Sequence, residues 1–312
     1  MIGGVAADAA DLMASSEAER VRAALFAARN TPWPSLAEFR RLMLQEAEKS
    51  ALPEGVTITV GDLQGISAEW IVNAGGSGAG QILYLHGGAH VAGGCATHRN
   101  LASRLAIACR ARVLVPEYRL APEHRFPAQI EDATIAYDAM LLAGRRPRDV
   151  IVAGDSSGGG LAIALALSLR ASGRPMPGAL VLLSPWTDLT LSGSSYQNRR
   201  DFDPVDRIPA LRRFAKDYAP EGMLNHPLVS PLFADLCGLP PMFIQVGDHE
   251  TTLSDSTEFA ARGQRCGVPV TLRIWPEMWH GWQLGAPALP EANEAIEQIA
   301  SFVTGHFSAL HR

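Results

Sequence analysis

The chain has 312 residues, of which 47% are hydrophobic, so it is long enough to bury a substantial core as one large α/β domain or as two smaller ones. The net charge is −5, and acidic and basic residues are mixed without a Lys/Arg-rich run. The sequence therefore lacks the basic signature that is usual in proteins that bind nucleic acid or anionic membranes. Residues 1–20 lack the basic start and unbroken apolar run of a secretory signal, and no later apolar run is long enough to span a bilayer, so we expect a cytoplasmic protein.

The first predicted elements are two helices. Apolar residues at helical spacing predict a helix over 20–29, and a capping box at 35–38 opens a second helix that runs to about residue 50. After Pro53 the pattern changes to short β-branched and apolar runs between Gly and Pro turns. These runs predict eight strands: 56–60, 68–73, 81–85, 112–116, 150–154, 179–184, 242–247 and 270–275.

Helices intervene from the third predicted strand onward, at 129–142, 159–169, 253–266 and 291–302. This alternation favours βαβ units and an α/β fold with a mostly parallel sheet. Residues 186–239 break the alternation because they contain a predicted helix, 209–218, but no strand. We interpret this insertion after the sixth strand, together with the N-terminal helices, as a cap over the carboxyl edge of the sheet.

The predicted organisation is therefore one domain that spans residues 1–312. Its cap parts are predicted at about 1–52 and 186–239, and its core at about 53–185 and 240–312. The cysteines Cys95, Cys109, Cys237 and Cys266 are scattered without a C-x-x-C pair, which suggests neither a zinc site nor a disulfide framework. We expect these thiols to be reduced, with Cys109 and Cys266 in helices.

The pentapeptide 154–158, GDSSG, fits G-x-S-x-G where a predicted strand meets a predicted helix. Such a turn strains the backbone of the serine and lifts its hydroxyl clear of the sheet, while the two glycines let the strand and the helix approach. Ser156 is therefore the candidate nucleophile. The alternative is a glycine-rich turn with a capping serine, and Ser157 fits only if the motif is read out of frame.

The segment 85–90, LHGGAH, places two glycines just after the third predicted strand. If Ser156 attacks a carbonyl group, the oxygen gains negative charge and needs fixed donors. The uncovered N–H groups of Gly87 and Gly88 are predicted to point where the N–H of Ser157 also points. These three amides are the predicted oxyanion hole.

Two histidines of this segment have the spacing of zinc ligands on a helix. His86 and His90 lie instead in a glycine-rich loop with no H-E-x-x-H glutamate between them, so no metal site is predicted. We expect His86 to fix the loop by hydrogen bonding and His90 to face the substrate.

These motifs resemble the hormone-sensitive-lipase family of α/β hydrolases, the bacterial family IV esterases, in which H-G-G-G stands upstream of G-D-S-A-G-G. The sequence has HGGA at 86–89 and GDSSGG at 154–159, and YRLAPEHRFPA at 118–128 is very like a stretch that buttresses the oxyanion loop in that family. Ala89 replaces the third glycine, which should be tolerated if Gly87 and Gly88 donate. His90 replaces the aromatic residue that often follows this motif in the family, so the shape of the pocket is expected to differ. The resemblance implies the α/β-hydrolase fold.

An α/β hydrolase orders its catalytic residues as serine, acid and histidine, so the base should follow the last strand. His280 does so in PEMWHGW, and the family has a His-Gly-aromatic sequence at that place. His249 and His226 are alternatives with poorer placement.

The acid is either Asp248 or Glu250, which both follow the seventh predicted strand in VGDHETTLSDS. When the last acidic residue of the family motif D-P-L-R-D-E is aligned with Asp255, Glu250 falls at the position of the catalytic acid. We favour Glu250, and the other carboxylate is expected to stabilise the loop.

The predicted function is hydrolysis of short-acyl carboxylic esters through an acyl-enzyme, without a metal or an organic cofactor. A small aromatic cap favours short acyl chains, and His90, Trp33 and Trp186 are predicted to line the substrate pocket. Lactones and acetylated compounds present the same carbonyl and stay open as substrates.

A non-catalytic binding protein, like the plant gibberellin receptors of this fold, is the alternative from another class, although those receptors lack the histidine. An apolar edge strand at 270–275 suggests a homodimer.

Overall fold

The computed structural model describes residues 14–29, 33–76, 78, 80–205 and 208–310. Residues 1–13 and 30–32 of the predicted N-terminal cap lie outside the described residues, as does most of the segment examined for a secretory signal.

The strands and helices follow the predicted order. The strands are β1 (Val56–Leu63), β2 (Ile66–Asn73), β3 (Gln81–Leu85), β4 (Arg112–Pro116), β5 (Val150–Asp155), β6 (Ala179–Leu183), β7 (Met242–Gly247) and β8 (Val270–Trp275). The α-helices of the described residues are α1 (Ser16–Arg29), α2 (Leu36–Glu48), α3 (Cys95–Ala108), α4 (Ala128–Leu142), α5 (Ser157–Ala171), α6 (Ser195–Asn198), α7 (Ile208–Tyr218), α8 (Leu253–Arg265) and α9 (Pro290–Ala309).

The eight strands form one sheet in the order β1-β2-β4-β3-β5-β6-β7-β8. The pairs β1–β2 and β2–β4 are antiparallel, and every other pair is parallel, which confirms the mostly parallel sheet. Helices α4, α5 and α8 cover one face, while α3 and α9 cover the other. Strands β3, β5, β6 and β7 are buried throughout because helices cover both faces, so their sequences are continuous apolar runs.

The helical cap lies over the loops that follow the carboxyl ends of the strands. Arg22 of α1 pairs with Glu277 beyond β8 at 2.8 Å. Arg125, in the loop after β4, donates hydrogen bonds to the carbonyl groups of Lys216 and Asp217 in α7 and of Ala219 directly after it. The cap from the N-terminus and from the insertion after β6 is thus present as expected, while the division of the chain at residues 52, 186 and 239 stays a prediction. None of the described helices has the length and apolar composition needed to cross a membrane.

The cysteines correct one expectation. Cys95 and Cys109 are buried free thiols, and burial raises the pKa of Cys109 to about 12. Cys237 and Cys266 form a disulfide, so the expectation of four reduced thiols was wrong for this pair. The fold brings the loop before β7 against the end of α8, with the two Cα atoms 4.7 Å apart, and a separation of 29 residues gives no sign of this contact in the sequence. Cys109 and Cys266 each lie directly after a helix rather than within one.

Candidate active site

Ser156 lies on a sharp turn between β5 and α5. Its backbone has φ 51° and ψ −123°, a region that a residue with a side chain rarely adopts, and its N–H donates to the Leu183 carbonyl at 2.8 Å. A Cβ atom on Gly158 would overlap the carbonyl oxygens of Leu85 and His86, and one on Gly154 would lie 2.5 Å from the Gly158 carbonyl carbon. The two glycines are therefore required for the strand and the helix to approach this closely.

The structure brings Ser156, His280 and Glu250 together. The Ser156 Oγ atom lies 2.9 Å from His280 Nε2, and His280 Nδ1 lies 2.9 Å from Glu250 Oε2. The three residues come from the loops after β5, β8 and β7, which end at the same edge of the sheet. His280 is followed by Gly281 in the left-handed conformation at φ 76°, which turns the chain directly after the imidazole.

The two candidate acids have separate surroundings. Glu250 is completely buried and reaches the imidazole. Asp248 accepts the Glu277 N–H at 2.6 Å, and its side chain is 38% exposed. Asp248 therefore connects two loops, while Glu250 is the carboxylate in contact with His280.

Three donors fix the Glu250 carboxylate besides the imidazole. The Ser184 hydroxyl and the Gly247 N–H donate to Oε1 at 2.6 Å each, and the Thr252 hydroxyl donates to Oε2 at 2.7 Å. Thr252 Oγ1 also lies 3.2 Å from His280 Nδ1. These hydrogen bonds compensate for the burial of the carboxylate, since each of its oxygens accepts at least one donor.

The oxyanion loop follows β3 and has an unusual backbone. Gly88, Ala89 and His90 have φ values of 120°, 55° and 62°, and the N–H groups of Val91 and Ala92 both donate to the Gly88 carbonyl. A Cβ atom on Gly88 would overlap the Ala92 carbonyl, so no other residue fits this turn without a shift.

The amide of Gly87 has a different partner from the predicted one. It donates to Asp155 Oδ1 at 2.9 Å, which corrects the expectation that Gly87 is an oxyanion donor. Within the described part of the chain, the N–H groups of Gly88 and Ala89 donate no hydrogen bond. Ser157 is the first residue of α5, so no preceding turn of helix supplies an acceptor for its N–H.

Asp155 organises the base of the site. It is buried, and it accepts hydrogen bonds from the Tyr84 hydroxyl at 2.7 Å and from the Gly87 amide, with His98 Nε2 at 3.3 Å. Burial opposes ionisation of this carboxyl group, but His98 and Tyr84 outweigh it and lower the pKa of Asp155 to about 2. Asp155 directly precedes Ser156, and its carboxylate thus fixes the start of the oxyanion loop beside this serine.

His86 and the segment 118–128 support the same loop from behind. The His86 ring stacks on Tyr118 at 4.1 Å, and its Nδ1 lies 2.8 Å from the Gly87 carbonyl. Burial, helped by the nearby His98, lowers the pKa of His86 to about 3, so the ring is neutral. The Tyr118 hydroxyl donates to the His86 carbonyl at 2.6 Å, and the Ala121 N–H donates to the His90 carbonyl.

The residues predicted to line the pocket lie in or beside one aromatic cluster under the cap. His90 is 2% exposed and stacks on Tyr218 of α7 at 3.8 Å, with Trp186 at 6.5 Å. Trp33 packs against Phe39 and Phe214, which belong to α2 and α7. Burial lowers the pKa of His90 to about 3, so this ring is also neutral.

Two sets of side chains among the described residues have the chemistry of metal ligands. His86 and His90 stack on different tyrosines, so they do not form a pair of ligands. Asp235, Cys237 and Cys266 have ligand atoms within 4.8 Å of one another, but both sulfur atoms belong to the disulfide.

Comparison with known proteins identifies the family. A family model described as the alpha/beta hydrolase fold matches residues 82–284. An acetyl-hydrolase from Streptomyces hygroscopicus is 41% identical over 270 residues, which are 85% of this chain and 89% of the relative. A solved structure of an esterase from the bacterial hormone-sensitive lipase family superposes with a TM-score of 0.90 at 38% identity, over 95% of this chain and 99% of that one. The chain belongs to the hormone-sensitive-lipase family of α/β hydrolases.

A further relative of this α/β hydrolase is an esterase from Acinetobacter venetianus. It is 37% identical over 255 residues, which are 81% of this chain and 84% of the relative. The resemblance stated from the motifs is therefore confirmed over most of the chain.

Sequence reasoning missed several residues that support the site of this hydrolase. Asp155 and Ser184 stand at the carboxyl ends of β5 and β6, and Thr252 follows Glu250 by two positions. Polar residues at the carboxyl ends of parallel strands are a usable signal, since ligands bind at that edge of α/β sheets. Asp203 was also missed; it lies in the insertion, where no local pattern marks it.

Proposed function

We propose that Ser156, His280 and Glu250 are the catalytic triad of a carboxylic ester hydrolase. The observation that carries the proposal is the pair of 2.9 Å contacts that link the serine hydroxyl to the imidazole and the imidazole to a buried carboxylate. This arrangement lets the imidazole take the serine proton while the carboxylate fixes its orientation and stabilises its charge. In agreement with its family, the protein is a serine carboxylesterase.

In the proposed reaction, Ser156 Oγ bonds to the substrate carbonyl carbon as its proton moves to His280 Nε2. The carbonyl oxygen becomes an oxyanion, and the imidazolium is stabilised by Glu250. The proton on Nε2 then passes to the departing alcohol, and the acyl group stays on Ser156. Water gives a proton to Nε2 and attacks the acyl carbon, which releases the acid and returns the proton to Ser156. No cofactor takes part in this scheme.

The proposed oxyanion donors are the N–H groups of Gly88, Ala89 and Ser157. Gly87 is not among them because its amide is bonded to Asp155. The positive φ of Gly88 and Ala89 is supported by the turn that closes on the Gly88 carbonyl and by the contact of the His90 N–H with Ser157 Oγ at 3.1 Å. Fixed donors of this kind contribute much of the rate of acyl transfer.

We propose short-acyl esters as substrates, with lactones and acetylated compounds as alternatives of the same chemistry. Two observations support short acyl groups: a relative named as an acetyl-hydrolase, and the aromatic cluster of Trp33, Trp186 and His90 under the cap. These three residues are the proposed pocket lining.

The experiment that tests the function compares wild-type protein with Ser156→Ala on p-nitrophenyl acetate, butyrate and decanoate, with a γ-lactone in parallel. We expect kcat/KM to be highest for acetate or butyrate, and Ser156→Ala to lose at least about 10⁵-fold in kcat. Ser172→Ala, at the exposed C-terminal end of α5, is the matched control, which should retain the wild-type order of magnitude. Turnover by Ser156→Ala at the wild-type rate would contradict the proposal.

We further propose that the protein is a homodimer that does not bind nucleic acid or membranes. Strand β8 lies at the edge of the sheet, and Ile274 in this strand is 47% exposed. An uncovered apolar edge strand is a template for pairing with a second chain. Sedimentation velocity should show a dimer for the wild type and a monomer for Ile274→Lys; a wild-type monomer at micromolar concentration would contradict this proposal.

The cytoplasmic location stays a prediction from the sequence. The disulfide between Cys237 and Cys266 is an observation against it, because disulfides persist mainly in oxidising compartments. Alkylation of free thiols in fractionated cells, followed by mass spectrometry of these two cysteines, tests both statements together.

A further inference from the structure

A second buried carboxyl group lies beside the Glu250–His280 pair. Asp203 belongs to the insertion between β6 and β7 and is completely buried. Its Oδ2 accepts the Thr251 N–H at 2.9 Å, with the Thr251 hydroxyl at 3.4 Å, and its Oδ1 accepts the Val205 N–H at 3.1 Å. Thr251 is the residue directly after Glu250, so the cap insertion and the catalytic-acid loop are joined at this point.

The hydrogen bonds indicate that Asp203 is a carboxylate. Both of its oxygens accept backbone N–H donors, an arrangement that suits a carboxylate. Burial is the largest influence and raises the pKa of Asp203, although His280 and the amides of Thr251 and Val205 act to lower it. Thr251, whose N–H Asp203 accepts, directly follows Glu250, and Glu250 Oε2 lies 2.9 Å from His280 Nδ1, so Asp203 is held next to this pair.

The charged groups around the imidazole fall into two sets. Glu250 contacts His280 from the acid loop, and Asp203, on the insertion, lies beside that loop and is bonded to the Thr251 N–H. Farther out, a second set of charged groups interact with one another over the same loops: Arg22, Asp248, His249, Glu277 and Arg199. The outer set contains both positive and negative groups, and Arg22 in it is paired with Glu277 at 2.8 Å.

We propose that Asp203 is a positioning residue for ester hydrolysis, which fixes the backbone beside Glu250 and adds a second negative charge that stabilises the imidazolium form of His280. This inference rests on the proposed function of Ser156 and His280. Its physical consequence is specific: a carboxylate near an imidazole favours the protonated ring, so removal of the charge should make His280 a weaker base.

The test is the pH dependence of kcat/KM for p-nitrophenyl acetate in Asp203→Asn. The acid limb of this profile reports the ionisation of the free enzyme's catalytic base. We expect the limb to move to lower pH by about 0.5 to 1 unit and kcat at neutral pH to fall about tenfold, with KM changed less than about threefold. Asp201→Asn is the matched control, since Asp201 is exposed in the same segment and should leave the profile in place.

A merely structural role would lower the rate without moving the acid limb, and that result would overturn the proposal. Asp203→Glu keeps the charge and should return the acid limb to within about 0.2 unit of wild type even where the rate stays low. If Asp203→Asn does not fold, ¹³C NMR of the aspartate carboxyl groups in the wild-type protein decides, because a protonated Asp203 at neutral pH would also overturn the proposal.

The two proposals fail in distinguishable ways. If Ser156→Ala turns over at the wild-type rate, the proposed function itself is wrong. If Ser156→Ala is inactive and the acid limb of Asp203→Asn is unmoved, only the role of Asp203 is wrong.

Discussion

Glu250 and Asp248 follow the same strand, but only Glu250 is in contact with the imidazole. We therefore expect Glu250→Gln to lose roughly 10³-fold or more in kcat, because the amide cannot stabilise the imidazolium and can favour the wrong tautomer. Asp248→Asn should retain activity within about tenfold, since Asp248 only connects two loops through the Glu277 amide. Steady-state kinetics on p-nitrophenyl butyrate checks this, and a larger loss in Asp248→Asn would reverse the assignment.

At the residue scale, the sequence predicted the residues that a motif marks and missed those that a distant contact defines. Ser156 and His280 could be found because the elbow motif and the last strand fix their places. The donors of the oxyanion loop could not, because the partner of the Gly87 amide is Asp155, 68 positions away in the chain. No local pattern shows which of the adjacent N–H groups will donate to this distant carboxylate.

At the element scale, the cap helix α2 is attached to the oxyanion loop by one side chain. Arg40 donates to the Val91 carbonyl at 2.7 Å, to the Ala121 carbonyl at 2.9 Å and to both carboxylate oxygens of Glu123 at 2.8 Å. Arg40→Gln should lower the free energy of unfolding by about 1 to 3 kcal/mol and reduce kcat. Among the described residues, the neighbouring Arg41 pairs with Glu38 on the same exposed helix face, so Arg41→Gln should change stability by less than about 0.5 kcal/mol.

The stabilisation by Arg40 should also depend on pH. Arg40 and the local backbone lower the pKa of Glu123 from 4.5 to about 2. Because the pKa is depressed in the folded state, the stabilisation is complete above pH 4.5 and is lost as the pH falls towards 2. Urea unfolding of wild type and Arg40→Gln across this range should show the two curves converging in acid; a constant difference would contradict the contribution of this ion pair.

The disulfide gives a second prediction at the element scale. It closes a loop of 29 residues between the loop before β7 and the end of α8, on the side of the sheet where β7 and β8 begin, whereas Ser156 follows the carboxyl end of β5. Reduction, or the double substitution of Cys237 and Cys266 by serine, should lower the free energy of unfolding by up to about 3 to 4 kcal/mol, because the unfolded chain regains freedom. Urea titrations with and without a thiol reductant measure this difference. Equal midpoints in the two titrations would show that the bond does not contribute.

The elements were predictable to different degrees for physical reasons. Strands β3, β4, β7 and β8 have the predicted bounds, because a buried or edge strand between Gly and Pro turns is a distinct apolar run. Strands β1 and β2 extend farther than predicted, since they continue to a tight turn at Gln64 and Gly65, where φ is positive. Helix α3 was not delimited because its sequence mixes polar and apolar residues and its N-cap is Gly94, without a capping side chain.

At the scale of the whole molecule, the candidate site depends on the loops after β3, β5, β7 and β8, which meet at one edge of the sheet. The strand order places β3 beside β5, and it places β7 between β6 and β8. The alternation of strands and helices predicted a mostly parallel sheet, but the order of the strands could not be predicted from periodicity, which does not show which strands pair. The contacts of the cap could not be predicted because they join segments far apart in the sequence.

The most direct test of the central claim is covalent labelling of the whole enzyme with a fluorophosphonate, followed by intact-mass and peptide mass spectrometry. We expect one adduct per chain, located on Ser156, with loss of esterase activity in proportion to labelling, and no adduct in His280→Ala over the same time. An adduct on Ser157 or on a serine elsewhere, or full activity in a completely labelled protein, would contradict the assignment of Ser156 as the nucleophile.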